Sequence, residues 1–535
     1  MVYKSPFKDV VIPVVDIPSF VFESRDFSDN LQLPAFTDAE SGVCLTFGQL
    51  KDRAARFAAG LKGIGFNKWD VVAAYSPNSI HYATVTYGTL WAGGTFSGAN
   101  PTYTVDELVH QLKDSGASVL IVGLSHMDNG KAAALKAGIP LNRVFVLHSE
   151  SAGGLLSFTT LIAAQPLSKV AFSRDELLNK PAFLCYSSGT TGLSKGVDTT
   201  HYNLIANVLQ LKTVEDIGKA AKESWIGILP FFHMYALCIS LHLAPFMGIH
   251  VTVMEKFDFE LFLKAVEKFK LTTVHVVPPI VLALAKHPLV DKYNLKSIRR
   301  ILSGAAPLGL GLCEEIRKRL NIPVAQGYGL TETSPATHMD PQDRVVDGSV
   351  GVVLPNIEAR IVNIETGKDC GPNQEGELWI RGPNVMKGYH NNPKATTNCI
   401  DADGYFHTGD VAIVDLQNHF FIVDRLKELI KYKGFQVPPA ELEAKLLTHP
   451  SISDAAVISR PDESAGDLPL AYVVLKPGKQ ITEKDIQSFI AERVAPHKQL
   501  RGGVVFVDTI PKSASGKILR RILRQQDAER LKAKL

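Results

Sequence analysis

The segment from residue 182 to residue 196 constrains the fold most strongly, because it joins an apolar run to a loop rich in glycine, serine and threonine. The run reads Ala-Phe-Leu-Cys, and the loop reads Tyr-Ser-Ser-Gly-Thr-Thr-Gly-Leu-Ser-Lys-Gly. A short apolar run of this kind predicts a strand buried on both faces, which is typical of α/β sheets. Ligands of such folds bind where the strands end. We therefore predict a ligand-binding loop at a sheet edge.

The composition of this loop indicates phosphate binding. Gly189, Gly192 and Gly196 allow the backbone to approach a polyphosphate, and Lys195 adds a positive charge. The hydroxyl side chains of the loop are further donors: Ser187, Ser188, Thr190 and Thr191. The lysine precedes the last glycine, so the spacing differs from the Gly-x4-Gly-Lys-Ser/Thr loop of P-loop nucleotide hydrolases. The alternative interpretation is a flexible surface linker.

Bulk properties exclude several classes of protein. The chain of 535 residues is too long for one core, so we expect a large domain and a smaller one. The 57 basic and 54 acidic residues give a net charge of +3, which provides no general attraction to nucleic acid or to a membrane surface. Prolines and polar residues interrupt the two uncharged segments, 71–105 and 224–254, so we predict buried core there and no transmembrane segment.

Two features bear on the compartment. The six cysteines form no Cys-x-x-Cys pair, which favours reduced thiols in an intracellular protein. The tripeptide Ala533-Lys534-Leu535 differs from the peroxisomal address Ser-Lys-Leu by one small residue. We therefore expect a peroxisomal protein that has the peroxisomal import receptor as a partner. If the tripeptide is not used, we expect the protein to be cytoplasmic. An ordinary basic helix end is the alternative reading of the tripeptide.

The order of elements predicts an α/β fold with a second, smaller domain. Alternating strands and helices up to about residue 180 indicate a doubly wound pattern, with strands near residues 71, 118 and 143. Short strands with turn signals after residue 345 predict a β-rich subdomain. From about residue 427 onward, a helix, two strands and a capped helix predict a compact α+β domain.

Three further motifs carry chemical groups that suit a nucleotide. In the segment Gly327–Glu332, a tyrosine between glycines can lie against a purine, and a glutamate can offer a hard oxygen to Mg²⁺. Tyr405–Asp410 ends in an aspartate that suits two ribose hydroxyls. Pro511–Lys517 carries a lysine on a Gly/Ser loop that can reach another domain's cleft. Taken singly, each motif has an ordinary alternative: an exposed turn acid, a capping aspartate or a solvated basic loop.

Taken in order, these motifs resemble those of the adenylate-forming enzymes, which include acyl-CoA synthetases, beetle luciferases and peptide-synthetase adenylation domains. Ser303–Pro307 and Asp424–Gly434 complete the set, and the resemblance covers nearly the whole chain. Residues 429–443, LIKYKGFQVPPAELE, look most similar to coumarate–CoA ligases and luciferases. The resemblance implies an N-terminal adenylation domain over residues 1–426, with two helix-flanked sheets and a β-rich subdomain, and a small mobile C-terminal domain over residues 427–535.

The resemblance also implies ATP, Mg²⁺ and coenzyme A as ligands and assigns residues to them. ATP or AMP would contact Ser187, Ser188, Gly189, Thr190, Thr191, Gly192, Lys195, Gly304, Ala305, Ala306, Gln326, Gly327, Tyr328, Gly329, Thr331, Asp410 and Arg425. Thr191 and Glu332 would hold the metal, Lys433 and Gly434 would touch coenzyme A, and Lys427 would be the hinge. The implied catalytic residues are Lys517, Lys431, Gln436 and His233.

An acid pocket follows from the same resemblance. Its residues would be His233, Tyr235, Ile239, Gly304, Gly329, Pro335 and Ala336. Tyr235 stands where coumarate ligases place a tyrosine that can bond a ring hydroxyl. Ile239 stands where those enzymes carry a serine, which makes this end of the pocket more apolar and leaves unsubstituted aryl acids and medium-chain fatty acids open. Asp198, at a position that is usually apolar in the family, has no explanation at this level.

We therefore expect an ATP-dependent acid–thiol ligase that converts an aryl or phenylpropenoic acid, through an acyl-AMP, to its CoA thioester. The alternatives are a medium-chain fatty acyl-CoA synthetase, a luciferase-like enzyme or a stand-alone adenylase with another acceptor. A catalytically silent binding scaffold is the alternative outside enzymes. We expect a monomer or a homodimer that does not bind nucleic acid.

Overall fold

The apolar run before the glycine-rich loop forms strand Pro181–Ser187, as predicted. The computed structural model describes residues 1–187, 194–215, 223–306, 308–341, 343–513 and 516–532. The strand belongs to a seven-stranded sheet that is parallel except at one edge, where Lys195–Thr200 runs antiparallel to it. In spatial order the strands are Lys195–Thr200, Pro181–Ser187, Thr95–Ala99, Val71–Tyr75, Ala117–Val122, Val144–Val146 and Leu156–Ser157.

A second, nine-stranded sheet supplies most of the site. Its central strands are parallel, and antiparallel strands close both edges. In spatial order they are Val352–Val353, Ala336–Met339, Val324–Gly329, Arg300–Ser303, Thr273–Val276, Ser224–Gly227, His250–Val253, Pro34–Asp38 and Cys44–Thr46.

Helices alternate with these strands along the chain, which confirms the predicted α/β pattern. They are Ile17–Phe22, Arg25–Ser28, Phe47–Gly63, Tyr82–Trp91, Val105–Asp114, Met127–Ala137, Arg174–Asn179, His201–Val214, Met234–Cys238, Ala244–Phe246, Phe259–Phe269, Pro278–Lys286 and Leu310–Leu320. A π-helical turn, Ile239–Leu243, joins two of them. Helix Phe47–Gly63 begins at a capping box that Thr46 and Gln49 form.

The predicted β-rich subdomain is a five-stranded antiparallel sheet. Its strands are, in order, Tyr3–Lys4, Glu358–Val362, Gly376–Arg381, Phe406–Val414 and Phe420–Arg425. The edge strand Tyr3–Lys4 comes from the start of the chain, so the local pattern after residue 345 did not predict it. The short helix Pro393–Thr397 lies between two of its strands in the sequence.

The C-terminal domain has its own sheet and core. Strands Phe435–Val437, Ile430–Tyr432, Gly466–Leu475 and Ile452–Asp462 lie in that order, and Gly503–Phe506 pairs with the third. The predicted helices are present as Pro439–Leu446 and Glu483–Ala491, and Arg520–Lys532 follows. A buried cluster from Ile430 to Val504 forms the core of this sheet. The boundary at residue 427 stays a prediction.

The two uncharged segments contribute to the main core, as predicted. Many side chains of these segments are nearly fully buried, for example those of Tyr82, Tyr87, Phe231 and Leu241. The same cluster contains residues of both large sheets, such as Phe183 and Ile301, so the sheets share one apolar interior. Among the helices that the structure describes, none has the length and apolar character needed to cross a bilayer.

Candidate active site

A pocket lies where parallel strands of the nine-stranded sheet end and the C-terminal domain approaches them. Its walls come from Leu211, His233, Tyr235, Ile239, Leu302, Gly304, Ala305, Gly327, Tyr328, Gly329, Leu330, Thr331, Pro335, Ala336, His338, Met339 and Lys517. Every residue predicted for the acid pocket is in this set. The predicted nucleotide contacts Ala305, Gly327, Tyr328 and Thr331 are also present. The structure therefore places side chains far apart in sequence around one cavity at a sheet edge.

Lys517 reaches this pocket from the C-terminal domain. A bridge between Lys512 and Ile518 closes the loop that carries it, and its backbone N–H donates to Ser513 Oγ at 3.1 Å. Burial, and then the nearby charge of Arg425, lower the pKa of Lys517 to about 8, while Asp410 and Glu332 oppose the shift. The lysine is thus a cation held among the predicted nucleotide residues, and it keeps its proton at neutral pH.

Asp410 and Arg425 lie side by side on paired antiparallel strands. Arg425 Nε is 3.3 Å from Asp410 Oδ1, and the Tyr328 hydroxyl donates to Asp410 Oδ2 at 2.6 Å. Asp410 is buried, and burial raises its pKa while Arg425 opposes the shift. The sequence predicted these three residues as nucleotide contacts, but it did not predict that Tyr328 and Asp410 are joined directly.

Glu332 is buried, and Tyr389 is its partner. The Tyr389 hydroxyl donates to Glu332 Oε1 at 2.9 Å, and the ammonium of Lys195 lies 4.0 Å from the centre of the Tyr389 ring. Oε2 of Glu332 has no hydrogen-bond partner in the part of the chain that the structure describes. One free carboxylate oxygen near Lys195 of the predicted phosphate loop suits Mg²⁺, which takes one or two carboxylates and completes its shell with phosphates and water. Glu332 therefore fits the predicted metal site.

The phosphate loop itself is only partly within the described residues. Ser188, Gly189, Thr190, Thr191 and Gly192 lie outside them, so these predicted contacts remain predictions. The two residues that flank the gap are described. Ser187 and Lys195 face each other in antiparallel register, which brings the two ends of the loop together beside Tyr389.

Asp198 has a partner that the sequence did not reveal. Its Oδ1 lies 2.9 Å from His390 Nδ1, and this hydrogen bond is the main cause of the raised pKa of His390. The backbone of residues 388–390 also bonds along strand Lys195–Thr200, because Asp198 N–H donates to Gly388 O and His390 N–H donates to Gly196 O. The pair thus fastens the segment that carries Tyr389 to the strand that carries Lys195.

The acid pocket is shaped by a short helix and a turn. His233 caps helix Met234–Cys238, and burial, with the charge of Lys517, lowers the pKa of His233 to about 3, so the ring is neutral. Tyr235 packs against Gly304, where an added Cβ would lie 3.2 Å from its ring. Ile239 is the first residue of the π-helical turn, a type of distortion that is common at functional sites.

Other predicted site residues lie outside this pocket. Lys431 and Gln436 face each other in a hairpin, and both are exposed, as are Lys433 and Gly434 at its turn. Lys427 is exposed in the turn between strands Phe420–Arg425 and Ile430–Tyr432. Gln326 is buried in its strand, and its backbone N–H donates to Asp340. Gln326 and Ala306 do not line the cavity, although Ala305 does. The structure thus presents Lys517, and not Lys431, to the pocket.

Comparison with known proteins agrees with this geometry. A family model described as AMP-binding enzyme matches residues 25–390, and one described as AMP-binding enzyme C-terminal domain matches residues 441–517. A probable 4-coumarate–CoA ligase 3 from Dictyostelium discoideum is 38% identical, with 98% of this chain and 97% of that protein covered. A 4-coumarate–CoA ligase 1 from Petroselinum crispum is 39% identical, with 99% and 97% covered.

Solved structures give the same answer for the fold. ATP-bound MatB from Rhodopseudomonas palustris superposes with a TM-score of 0.85 at 29% identity, covering 96% of this chain and 99% of that chain. The match includes both the large and the small domain. The chain therefore belongs to the adenylate-forming AMP-binding enzyme family, among relatives that are named as 4-coumarate–CoA ligases.

Proposed function

We propose that the chain is an ATP-dependent acid–CoA ligase that activates an aryl or phenylpropenoic acid as its acyl-AMP and then transfers the acyl group to coenzyme A. The observation that carries the proposal is the position of Lys517 in a pocket shared by the predicted acid and nucleotide residues. The names of the relatives support the acceptor and the type of acid. The AMP-binding family model supports the adenylate step.

In the first half-reaction two anions, a carboxylate and a triphosphate, must meet. Lys517 would donate to both the carboxylate and the α-phosphate, so the positive charge offsets their repulsion without any protein nucleophile. Asp410 would accept from the ribose hydroxyls. Glu332 would hold Mg²⁺, which supplies positive charge to the phosphates when it is bound.

The second half-reaction requires a different face of the C-terminal domain. The lysine is no longer needed once the acyl-AMP has formed. The exposed hairpin residues Lys431, Lys433, Gly434 and Gln436 do not line the pocket in this arrangement. We propose that rotation at Lys427 brings that hairpin to the acyl-AMP and to the thiol of coenzyme A. We infer that the arrangement described here, in which Lys517 lines the pocket, is the one that serves adenylation.

The proposal is tested by mass spectrometry of the products that the purified protein forms from MgATP, coenzyme A and a panel of acids. The panel contains cinnamic, benzoic and phenylacetic acids and fatty acids from C6 to C16, and pyrophosphate is measured in parallel. Acyl-CoA from the aryl acids is the expected result. Thioesters from fatty acids alone would instead support a medium-chain synthetase, and pyrophosphate without thioester would support an adenylase with another acceptor.

Import into peroxisomes remains a prediction. The tripeptide Ala533-Lys534-Leu535 lies outside the described residues, so only its sequence supports the proposal. The test is the location of a fluorescent fusion that ends with these residues, compared with one in which Leu535 is replaced by aspartate. Punctate fluorescence with a peroxisomal marker is expected for the first fusion and diffuse fluorescence for the second, and identical patterns would contradict the prediction.

A further inference from the structure

The segment that carries Tyr389 links the predicted metal carboxylate to the strand that begins at Lys195. Met386 N–H donates to the backbone oxygen of Glu332 at 2.8 Å, and the Tyr389 hydroxyl donates to the side chain of the same glutamate at 2.9 Å. The segment also forms backbone hydrogen bonds along the strand, and the Tyr389 ring lies beneath the ammonium of Lys195. Its position therefore affects both predicted phosphate-site charges.

The Asp198–His390 pair is a side-chain contact between this segment and the strand. His390 Nδ1 lies 2.9 Å from Asp198 Oδ1, and the two side chains are only 23% and 25% exposed. A pair that is buried to this degree is screened less by water and salt than a pair on the open surface. The histidine also packs closely, because an added Cβ on Gly196 would lie 3.1 Å from Cβ of His390. The pair therefore holds the segment beside the residue that follows Lys195.

A second acid, Asp114, connects the segment to the strand on the other side of the phosphate loop. Asn391 Nδ2 donates to the backbone oxygen of Asp114 at 3.2 Å, and the Tyr186 hydroxyl donates to Oδ2 of the same residue at 2.7 Å. Asp198 and, more weakly, Asp114 raise the pKa of His390, while burial opposes the shift. The segment is thus bound to both strands that flank the phosphate loop.

We propose that Asp198 and His390 are positioning residues for MgATP, although neither is among the described residues that line the pocket. Residues 386–391 form no helix and only an isolated bridge, at Tyr389, so side-chain contacts are needed to fix them. By holding Tyr389 in place before the nucleotide arrives, the pair lowers the entropic cost of binding. The inference rests on the proposed ligase function and concerns its ATP site alone.

Two variants break the pair without altering a residue that lines the pocket. His390→Leu keeps most of the side-chain volume but removes the hydrogen bond, and Asp198→Ala removes the acceptor and keeps the ring. In each variant the Kd for MgATP, measured by calorimetric titration, should rise by about three- to tenfold, as expected for the loss of one hydrogen bond. In turnover the loss should appear in KM for MgATP rather than in kcat, because the reacting groups are intact.

The matched control is His419→Leu. His419 Nδ1 lies 3.1 Å from Asp415 Oδ2 with similar exposure, and the pair stands at the end of its hairpin remote from Asp410. This variant should bind MgATP as the native protein does. A native Kd in both His390→Leu and Asp198→Ala would overturn the proposal, whatever the variants do to thermal stability, because the pair would then be structural only. If one of the two variants does not fold, the other decides.

A double variant tests whether the pair acts through Tyr389. Tyr389→Leu lacks the contacts to Glu332 and Lys195, so adding His390→Leu to it should weaken MgATP binding no further. The same loss in both backgrounds would overturn the proposed route through Tyr389. Calorimetry needs no turnover, so a native protein that binds MgATP but forms no acyl-AMP with any acid would contradict the proposed function and would leave this test intact.

Discussion

The Tyr328 hydroxyl donates a 2.6 Å hydrogen bond to Asp410, and Arg425 occupies the other oxygen of the same carboxylate. An adenosine that binds beside this group must share the carboxylate or displace one of its partners. Asp410 therefore both positions the Tyr328 ring and offers the predicted contact to ribose, and the two roles can be separated by mutation.

We predict that Asp410→Asn raises KM for ATP by about 10- to 100-fold, because a hydrogen bond to a buried charge contributes about 1.5–3 kcal/mol. Tyr328→Phe should have a smaller effect, because it removes only the bond to Asp410 and keeps the ring. The measurement is the ATP dependence of pyrophosphate release. Asp415→Asn, in a surface contact with His419, is the control. An equal effect of the two site variants would contradict a direct ribose contact by Asp410.

Lys517→Ala should lower the rate of acyl-AMP formation by about 10² to 10⁴, the range found when a single charge-stabilising donor is removed. Lys512→Ala, on the same loop but paired with Asp454 at 2.6 Å, should adenylate normally. Pyrophosphate release without coenzyme A measures this step. Normal adenylation by Lys517→Ala would refute its assigned role.

The lowered pKa of Lys517 also predicts the pH dependence of the same step. The side chain carries its proton below about pH 8 and loses it above, so adenylation at low substrate concentration should fall as the pH rises through about 8. An ordinary exposed lysine would keep its charge to about pH 10.4. A profile that stays flat from pH 7 to pH 10 would show that this ammonium is not required.

Tyr389 makes two separable contacts, and two substitutions distinguish them. Tyr389→Phe removes the hydrogen bond to Glu332 but keeps the ring beneath Lys195, so it should raise the Mg²⁺ concentration for half-maximal activity by about tenfold. Tyr389→Leu removes both contacts and should weaken MgATP binding further, by about 0.5–2 kcal/mol. Calorimetric titration with MgATP measures binding apart from turnover. The control is Tyr405→Phe, because the native Tyr405 hydroxyl donates to Glu358 in a comparable way. Identical behaviour of the two Tyr389 variants would contradict separate roles for the hydroxyl and the ring.

Lys427→Pro should stop thioester formation and spare adenylation, because proline restricts the backbone rotation that the second half-reaction needs. Lys427 is exposed and its side chain lies outside the pocket, so Lys427→Ala should leave both half-reactions intact. Pyrophosphate release and acyl-CoA formation are measured separately on each variant. Equal loss of both steps in Lys427→Pro would argue against a hinge at this position.

The sequence predicted the elements of the fold and the residues that occur in compact motifs, because local patterns of apolarity and glycine carry that information. Lys517, Asp410 and Glu332 were identified in this way. The partners that hold them were not: Tyr389 is 57 residues from Glu332, and His390 is 192 residues from Asp198. Such contacts depend on how whole strands and segments meet, and no local signal marks them.

Local sequence patterns were equally insufficient to describe the pocket that binds the acid. A sequence motif identified Tyr235 and Ile239 as pocket residues. From these two residues alone, we predicted an apolar end of the acid pocket. Glu215, Arg300 and His275 stand on a helix end and two strands that meet only in the fold, so the buried polar side chains near Tyr235 became visible only in three dimensions.

The most direct test of the central claim separates the two half-reactions in a single tube. The protein is incubated with MgATP and 4-hydroxycinnamic acid without coenzyme A, sampled by mass spectrometry, and sampled again after coenzyme A is added. The account predicts enzyme-bound acyl-AMP with one pyrophosphate released in the first sample, and its conversion to acyl-CoA and AMP in the second. An acyl-AMP that persists after coenzyme A is added, or thioester formation without any acyl-AMP, would contradict it.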